Sequence, residues 1–172
     1  PDGDTPVSET MGALEDLVTE GKIGYYGCFY FSGSEMQESI DAAREAGLKG
    51  FVTAQNAWNV LEREIEADLI PVCETNGVSL LPYYPIAKGL LTGKYQRGSA
   101  APPGSRLADD PVLSKANFDL LERLDRYARD HEYDLLTLAI SWLAAQPSTA
   151  SIIAGASRPE QMASNVAAAR WK

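Results

Sequence analysis

The sequence is poor in the residues that build metal centres and disulfide frameworks. It holds one histidine, His131, and two cysteines, Cys28 and Cys73, in 172 residues. Two cysteines are too few for a disulfide-stapled fold, and one histidine with two scattered thiols lacks ligand spacing, so no metal site is expected. Positive charge is scarce as well. Lys and Arg total 15 against 24 Asp and Glu, a formal charge of −9, which argues against nucleic acid because phosphate backbones need a basic face. No run of about 18 apolar residues occurs, so no membrane span is expected. No basic stretch leads into an apolar core, so none of the sequence reads as a signal peptide. A reducing cytoplasm is the expected compartment.

What is present is ordinary for a globular chain: 45% hydrophobic and 23% charged residues, enough length for one core, and a single domain over 1–172. Amphipathic and apolar segments alternate. Thr5-Pro6 opens a first helix with Thr5 as cap and Pro6 as first helical residue, and Gly21 ends it. Ile23–Cys28 reads as a buried strand. Ser32 and Glu35 have capping-box spacing for a helix running to Gly47. Phe51–Gln55 is a second strand, 62–76 a helix broken or kinked at Pro71, and Val78–Tyr83 a third strand.

Residues 96–113, with three prolines and two glycines, read as a long loop. Helices over 114–131 and 134–146 follow, the second stopped by Pro147. Ala150–Ala154 is a fourth strand. Ser157 and Glu160 form a second capping box for a last helix running toward Trp171. Strands separated by helices require parallel pairing. The pattern fits an α/β fold, either a small open sheet or a parallel four-stranded half of a (β/α)8 TIM barrel with alternating helices.

Four collinear segments carry a resemblance. They are Asp4-Thr5-Pro6 with Glu9–Leu14; Gln55 with Asn59, Leu61 and Arg63; Pro82–Tyr95; and Gly155-Ala156-Ser157-Arg158-Pro159-Glu160-Gln161 with Asn165. Together they resemble the C-terminal half of the aldo/keto reductase family, from the fourth helix of the barrel to the eighth. The resemblance implies a (β/α)8 barrel fold and NADP(H)-dependent carbonyl reduction. The family's catalytic Asp, Tyr, Lys and His lie on its N-terminal half and have no counterpart here, so no catalytic residue is assigned.

By the same resemblance, Gln55, Tyr83, Gly89, Ser157, Arg158, Gln161 and Asn165 are the cofactor-binding candidates. Ser157 and Arg158 fall where the family grips the 2′-phosphate, which suits the planar donor fork of arginine. Gln55 and Tyr83 fall at the nicotinamide. Phe29 and Tyr30 stand where the family has the Ser-Asn pair that bonds the carboxamide, so an impaired nicotinamide end is expected of NADP(H) binding. Each candidate also has a plainer reading. Ser157 is a natural cap, Arg158, Gln161 and Asn165 suit a solvated helix face, Tyr83 suits a core aromatic at a strand end, and Gln55 suits a side chain that satisfies buried backbone groups. Lys88 and Lys94 read as solvated, His131 as a dipole contact at a helix C-terminus, and the two cysteines as inert core residues.

A half-barrel leaves edge strands and an inner apolar face open. Self-association as a dimer or higher oligomer is therefore expected to cover them. Three functions fit: an NADP(H)-dependent oxidoreductase inactive as a reductase on its own, a non-catalytic module for 2′-phosphoadenosine nucleotides, and a ligand-free oligomeric half-barrel.

Overall fold

The computed structural model describes residues 4–108 and 110–170. They form two compact units. Unit 1 comprises the chain through Ala57 with Arg63–Pro82 and Ser148–Ser151; unit 2 comprises Trp58–Glu62, Tyr83–Pro147 and the chain from Ile152 onward.

Unit 1 is an α/β layer. Helix α1 (Val7–Thr19) precedes β1 (Gly27–Phe29), then α2 (Gly33–Ala46), β2 (Thr53–Gln55), a 3₁₀ turn at Glu64–Glu66, α3 (Leu69–Asn76) and β3 (Ser79–Leu80). The sheet order is β1-β2-β3, all parallel, with Gly27 opposite Thr53 and Thr53 opposite Ser79. Gly27 has no alternative at its position, since a Cβ there would collide with the Thr53 side chain and its carbonyl oxygen. The core gathers Cys28, Met36, Ala54, Leu69, Cys73, Val78 and Leu80. A second cluster holds Met11, Tyr26 and Ala43. Burial pushes the Cys28 thiol up to about 12 and the Cys73 thiol up to about 11, as expected for inert core cysteines.

The Ser32–Glu35 capping box forms as the spacing predicts. The Ser32 hydroxyl accepts from the Glu35 amide at 3.2 Å, and the Ser32 amide donates to the Glu35 carboxylate at 2.7 Å. Other expectations shift. Pro6, not Thr5, takes the N-cap position of α1, and its carbonyl accepts from the Glu9 and Thr10 amides. Pro71 does not kink a long helix. The segment breaks at 67–68, so Pro71 falls in the first turn of α3, where a missing N–H costs nothing. β1 and β2 start later than expected, β1 runs one residue further to Phe29, β2 ends at Gln55 as expected, and β3 is shorter at both ends.

The expected fourth strand is also corrected. Its segment makes only isolated parallel bridges, Leu80 with Thr149 and Tyr83 with Ile153. Leu80 turns its amide to the Ser148 carbonyl and its carbonyl to the Ala150 amide. The next residue facing that side is Pro82, which has no N–H to extend the ladder.

Unit 2 is helical and loop-rich. It holds an irregular 3₁₀ segment at Ala87–Thr92, then α4 (Phe118–Asp130), α5 (Leu135–Ala144) and α6 (Pro159–Ala168). The Asn117 side chain caps α4 and the Asp134 side chain caps α5, so both helices start later or end earlier than the 114–131 and 134–146 expected. His131 does close α4, its Nδ1 2.8 Å from the Tyr127 carbonyl oxygen. The core runs through Leu90, Leu91, Tyr95, Leu107, Leu121, Leu135 and Leu138. Trp58, only 2% exposed, stacks edge-on against Trp142 at 5.4 Å. Trp171, where the last helix was expected to end, lies outside the described residues. No helix among the described residues is long and apolar enough to cross a membrane.

Candidate functional site

A cleft of about 1140 Å3 opens in unit 2. Two backbone features shape it. The first is the segment after Pro82. Tyr84 (φ 55), Ala87 (φ 45) and Lys88 (φ 55) all carry left-handed backbone on residues with side chains, and Gly89 follows at φ 108. Such conformations cost on the order of 1–3 kcal/mol each and persist where the surroundings hold them. The second is the start of α6. Arg158 occupies the N-cap position and Pro159 the first helical position.

Six of the seven sequence candidates belong to unit 2, and all six line this cleft: Tyr83, Gly89, Ser157, Arg158, Gln161 and Asn165. Gln55 belongs to unit 1, where it ends β2 and its carbonyl accepts from the Tyr30 amide at 3.0 Å. Phe29 and Tyr30 are also in unit 1, 57% and 67% exposed, with ring centroids 6.0 Å apart. Tyr30 sits at φ 61, a conformation that Asn tolerates far better than Tyr.

The Ser157–Glu160 capping box does not form. Pro159 fixes the first helical position because its absent N–H is harmless there, so the cap falls on Arg158 rather than Ser157. Gln161 replaces Glu160 as the group that reaches back. Its Oε1 accepts from the Ser157 amide at 2.8 Å and from the Ser157 hydroxyl at 3.1 Å. The Arg158 guanidinium stays exposed.

The charge of the cleft is opposite to that of the chain. Lys88, Lys94, Arg106 and Arg158 line it against one acid, Glu160, in a protein of net charge −9. The Lys88 ammonium and the Arg106 guanidinium lie 5.9 and 5.5 Å from the Tyr84 ring centre, within cation–π range. Tyr95 ties the 96–113 loop to this wall, its hydroxyl accepting from the Leu107 amide at 3.1 Å. Lys88 and Lys94 both border the cleft, with Lys94 exposed to solvent. Arg106 was passed over by sequence reasoning, because a lone arginine in a loop of prolines and glycines has no local signature. Among the described residues, no group of three or more His, Cys, Asp or Glu is placed to hold a metal ion.

The sequence profile of the aldo/keto reductase family matches residues 1–172. This chain belongs to the aldo/keto reductase family. It is 32% identical to a probable voltage-gated potassium channel β subunit of Arabidopsis thaliana, over 98% of this chain and 53% of that protein. It is also 32% identical to the L-glyceraldehyde 3-phosphate reductase of Escherichia coli K12, over 97% of this chain and 50% of that one. An NADH-specific methylglyoxal reductase from the same organism matches at 32% over 95% of this chain and 49% of its own length. Among solved structures, the glycerol dehydrogenase of Gluconobacter oxydans superposes with a TM-score of 0.82 at 29% identity, covering all of this chain and 51% of that chain. The chain therefore spans about half the length of the relatives it matches. Its α/β fold is similar to about half of an aldo/keto reductase barrel.

Members of this family typically use NADP(H), and the cleft fits a polyanionic nucleotide. It has four cations and a helix N-terminus that favours negative charge. Gly89 lines it at φ 108, a conformation that disfavours a side chain, but it is buried, with its amide donating to the Ile86 carbonyl and its carbonyl accepting from the Thr92 hydroxyl, both at 2.8 Å.

Proposed function

We propose that this chain serves NADP(H)-dependent carbonyl oxidoreduction, with the unit 2 cleft holding the adenosine end of the dinucleotide. The observation that carries this reading is the basic cleft in an acidic protein, with Arg158 exposed at the N-cap of α6. Arg158 would bind the 2′-phosphate, joined by the Ser157 hydroxyl once it turns away from Gln161 Oε1. Gln161 and Asn165, one helical turn apart on α6, would flank the adenine. Lys88, Lys94 and Arg106 would neutralise the pyrophosphate. Tyr83 of unit 2 is proposed for the nicotinamide; within unit 1, Gln55 keeps its amide, while Phe29 offers no hydrogen bond and the rings of Phe29 and Tyr30 are far larger than the Ser-Asn pair they replace. An amide left unpaired in a dry site costs about 1–3 kcal/mol.

When bound, the cofactor supplies the hydride; the carbonyl oxygen also needs a proton from a tuned acid. No residue of this chain is assigned that role, so the chain alone is proposed to bind nucleotide without reducing carbonyls. Calorimetric titration with NADPH and NADH tests the reading, paired with an assay of aldehyde reduction. NADPH binding with NADH much weaker and no turnover supports it. Equal binding of both cofactors, as the NADH-specific relative makes conceivable, removes the 2′-phosphate from the account. Turnover by the chain alone removes the claim that it lacks an acid.

On the same terms we propose that the chain pairs with a second copy through β1, the edge strand of the sheet, where Tyr25, Phe29 and Tyr30 expose their rings. Parallel edges and exposed aromatic surface favour such pairing. Light scattering at micromolar concentration gives a dimer if this holds, and a monodisperse monomer refutes it.

A further inference from the structure

Asn59 is fully buried and makes every hydrogen bond an amide side chain can make. Its Oδ1 accepts from the Leu61 amide at 2.9 Å and the Glu62 amide at 3.1 Å. Its Nδ2 donates to the Glu62 carboxylate at 3.1 Å and to the Tyr84 carbonyl oxygen at 3.0 Å. The surroundings fix the orientation of the amide, since two N–H groups face one end and two oxygens face the other. The neighbouring Trp58 amide donates to the Tyr83 carbonyl at 3.4 Å. The short Trp58–Glu62 stretch therefore clasps Tyr83 and Tyr84 by their backbones.

That clasp lies where the cleft wall enters its strained path. Tyr84 is the first of the left-handed residues, and its ring meets both Lys88 and Arg106. Left-handed backbone on a tyrosine relaxes unless something holds it. The bond from Asn59 Nδ2 is a buried tether on the carbonyl of that very residue. We propose that Asn59 is the positioning residue of the cleft. It holds Tyr84 in its strained conformation, so that the Tyr84 ring, Lys88 and Arg106 present a formed binding wall for the central part of the dinucleotide. Asn59 touches no ligand itself. The proposal rests on the reading of the cleft as a nucleotide site.

The test is N59D, which keeps shape and both acceptor bonds but removes both donors. Hydrogen–deuterium exchange and nucleotide titration are run on the same protein. Exchange over residues 84–92 is expected to rise about tenfold while α4 and α6 keep wild-type protection. NADP+ affinity is expected to fall at least about tenfold, the loss expected of the Tyr84 bond alone. Binding of adenosine 2′-monophosphate, which needs only the α6 end, stays within twofold. Acidification protonates the N59D carboxyl, restores a donor and narrows the NADP+ difference. If N59D does not fold, N59S serves in its place, since its hydroxyl can accept from the Leu61 or Glu62 amide without added charge.

Unchanged exchange over 84–92 overturns the positioning role, and so does an equal loss of both ligands. If the wild-type protein binds neither nucleotide, the reading of the cleft is overturned, while exchange still decides whether Asn59 holds Tyr84.

Discussion

The two units treat backbone strain differently. In unit 1, positive φ falls mostly on glycines that end helices, such as Gly47 and Gly77, and Tyr30 is the exception. In unit 2, Tyr84, Ala87, Lys88 and Glu132 carry it on full side chains, three of them within five residues at the cleft. Unit 1 behaves as scaffold: short parallel strands, capped helices and dry clusters. Unit 2 keeps strain and cations together, the pattern expected where geometry serves binding rather than stability. Sites of this kind give up local stability for a fixed arrangement of groups.

The comparison can be broken at its supports. Trp58→Ala removes the largest fully buried side chain among the described residues, the ring packed on Trp142. It is expected to cost about 3–5 kcal/mol in urea unfolding, and its effect on nucleotide binding should match that of unfolding unit 2. In unit 1, Ser32→Ala removes the α2 cap and is expected to cost about 1 kcal/mol at neutral pH. Part of that capping box depends on pH. The Ser32 amide, and then its hydroxyl, hold the Glu35 carboxyl below the usual carboxylate range. A depressed acid stabilises the fold above its unfolded pKa and loses that contribution as pH falls through the folded value. The stability gap between wild type and Glu35→Gln should therefore close on acidification, as read by thermal unfolding from pH 7 to pH 3.

The smallest expected effect sharpens the comparison most. Lys88→Gly relieves a left-handed residue and should raise stability by roughly 0.5–1 kcal/mol. It also removes a cleft cation, so affinity for a phosphorylated nucleotide should fall. Gain of stability with loss of binding is the signature of strain held for function. Loss of both would mean that Lys88 is not strained in the sense argued here.

The sequence made legible what is encoded locally. Ser32 and Glu35 are three residues apart and need nothing else to form their box. Gly47 ends its helix for the same local reason. The Ser157–Glu160 pair has the same spacing yet fails, because Pro159 shifts the helix start by one residue and Gln161 competes for Ser157. Strand ends were overestimated because pairing depends on the neighbour. Pro82 silences the donor that would extend the fourth segment along β3, and Ile23 is tied back to the Leu17 carbonyl of α1. The family resemblance placed six cofactor candidates that the fold brings to one cleft. It could not supply Arg106 or the role of Asn59. The partner they share, Tyr84, is distant in sequence from both, and only the folded chain brings them together.

The central claim is that unit 2 recognises a 2′-phosphate through Arg158 at the head of α6. The measurement that meets it most directly is calorimetric titration of wild type and Arg158→Ala with adenosine 2′-monophosphate. The account predicts binding to wild type and at least about tenfold weaker binding to the variant, the loss of a charge-assisted hydrogen bond, with thermal stability unchanged. Equal affinity in the two proteins, or no binding to wild type, would contradict it.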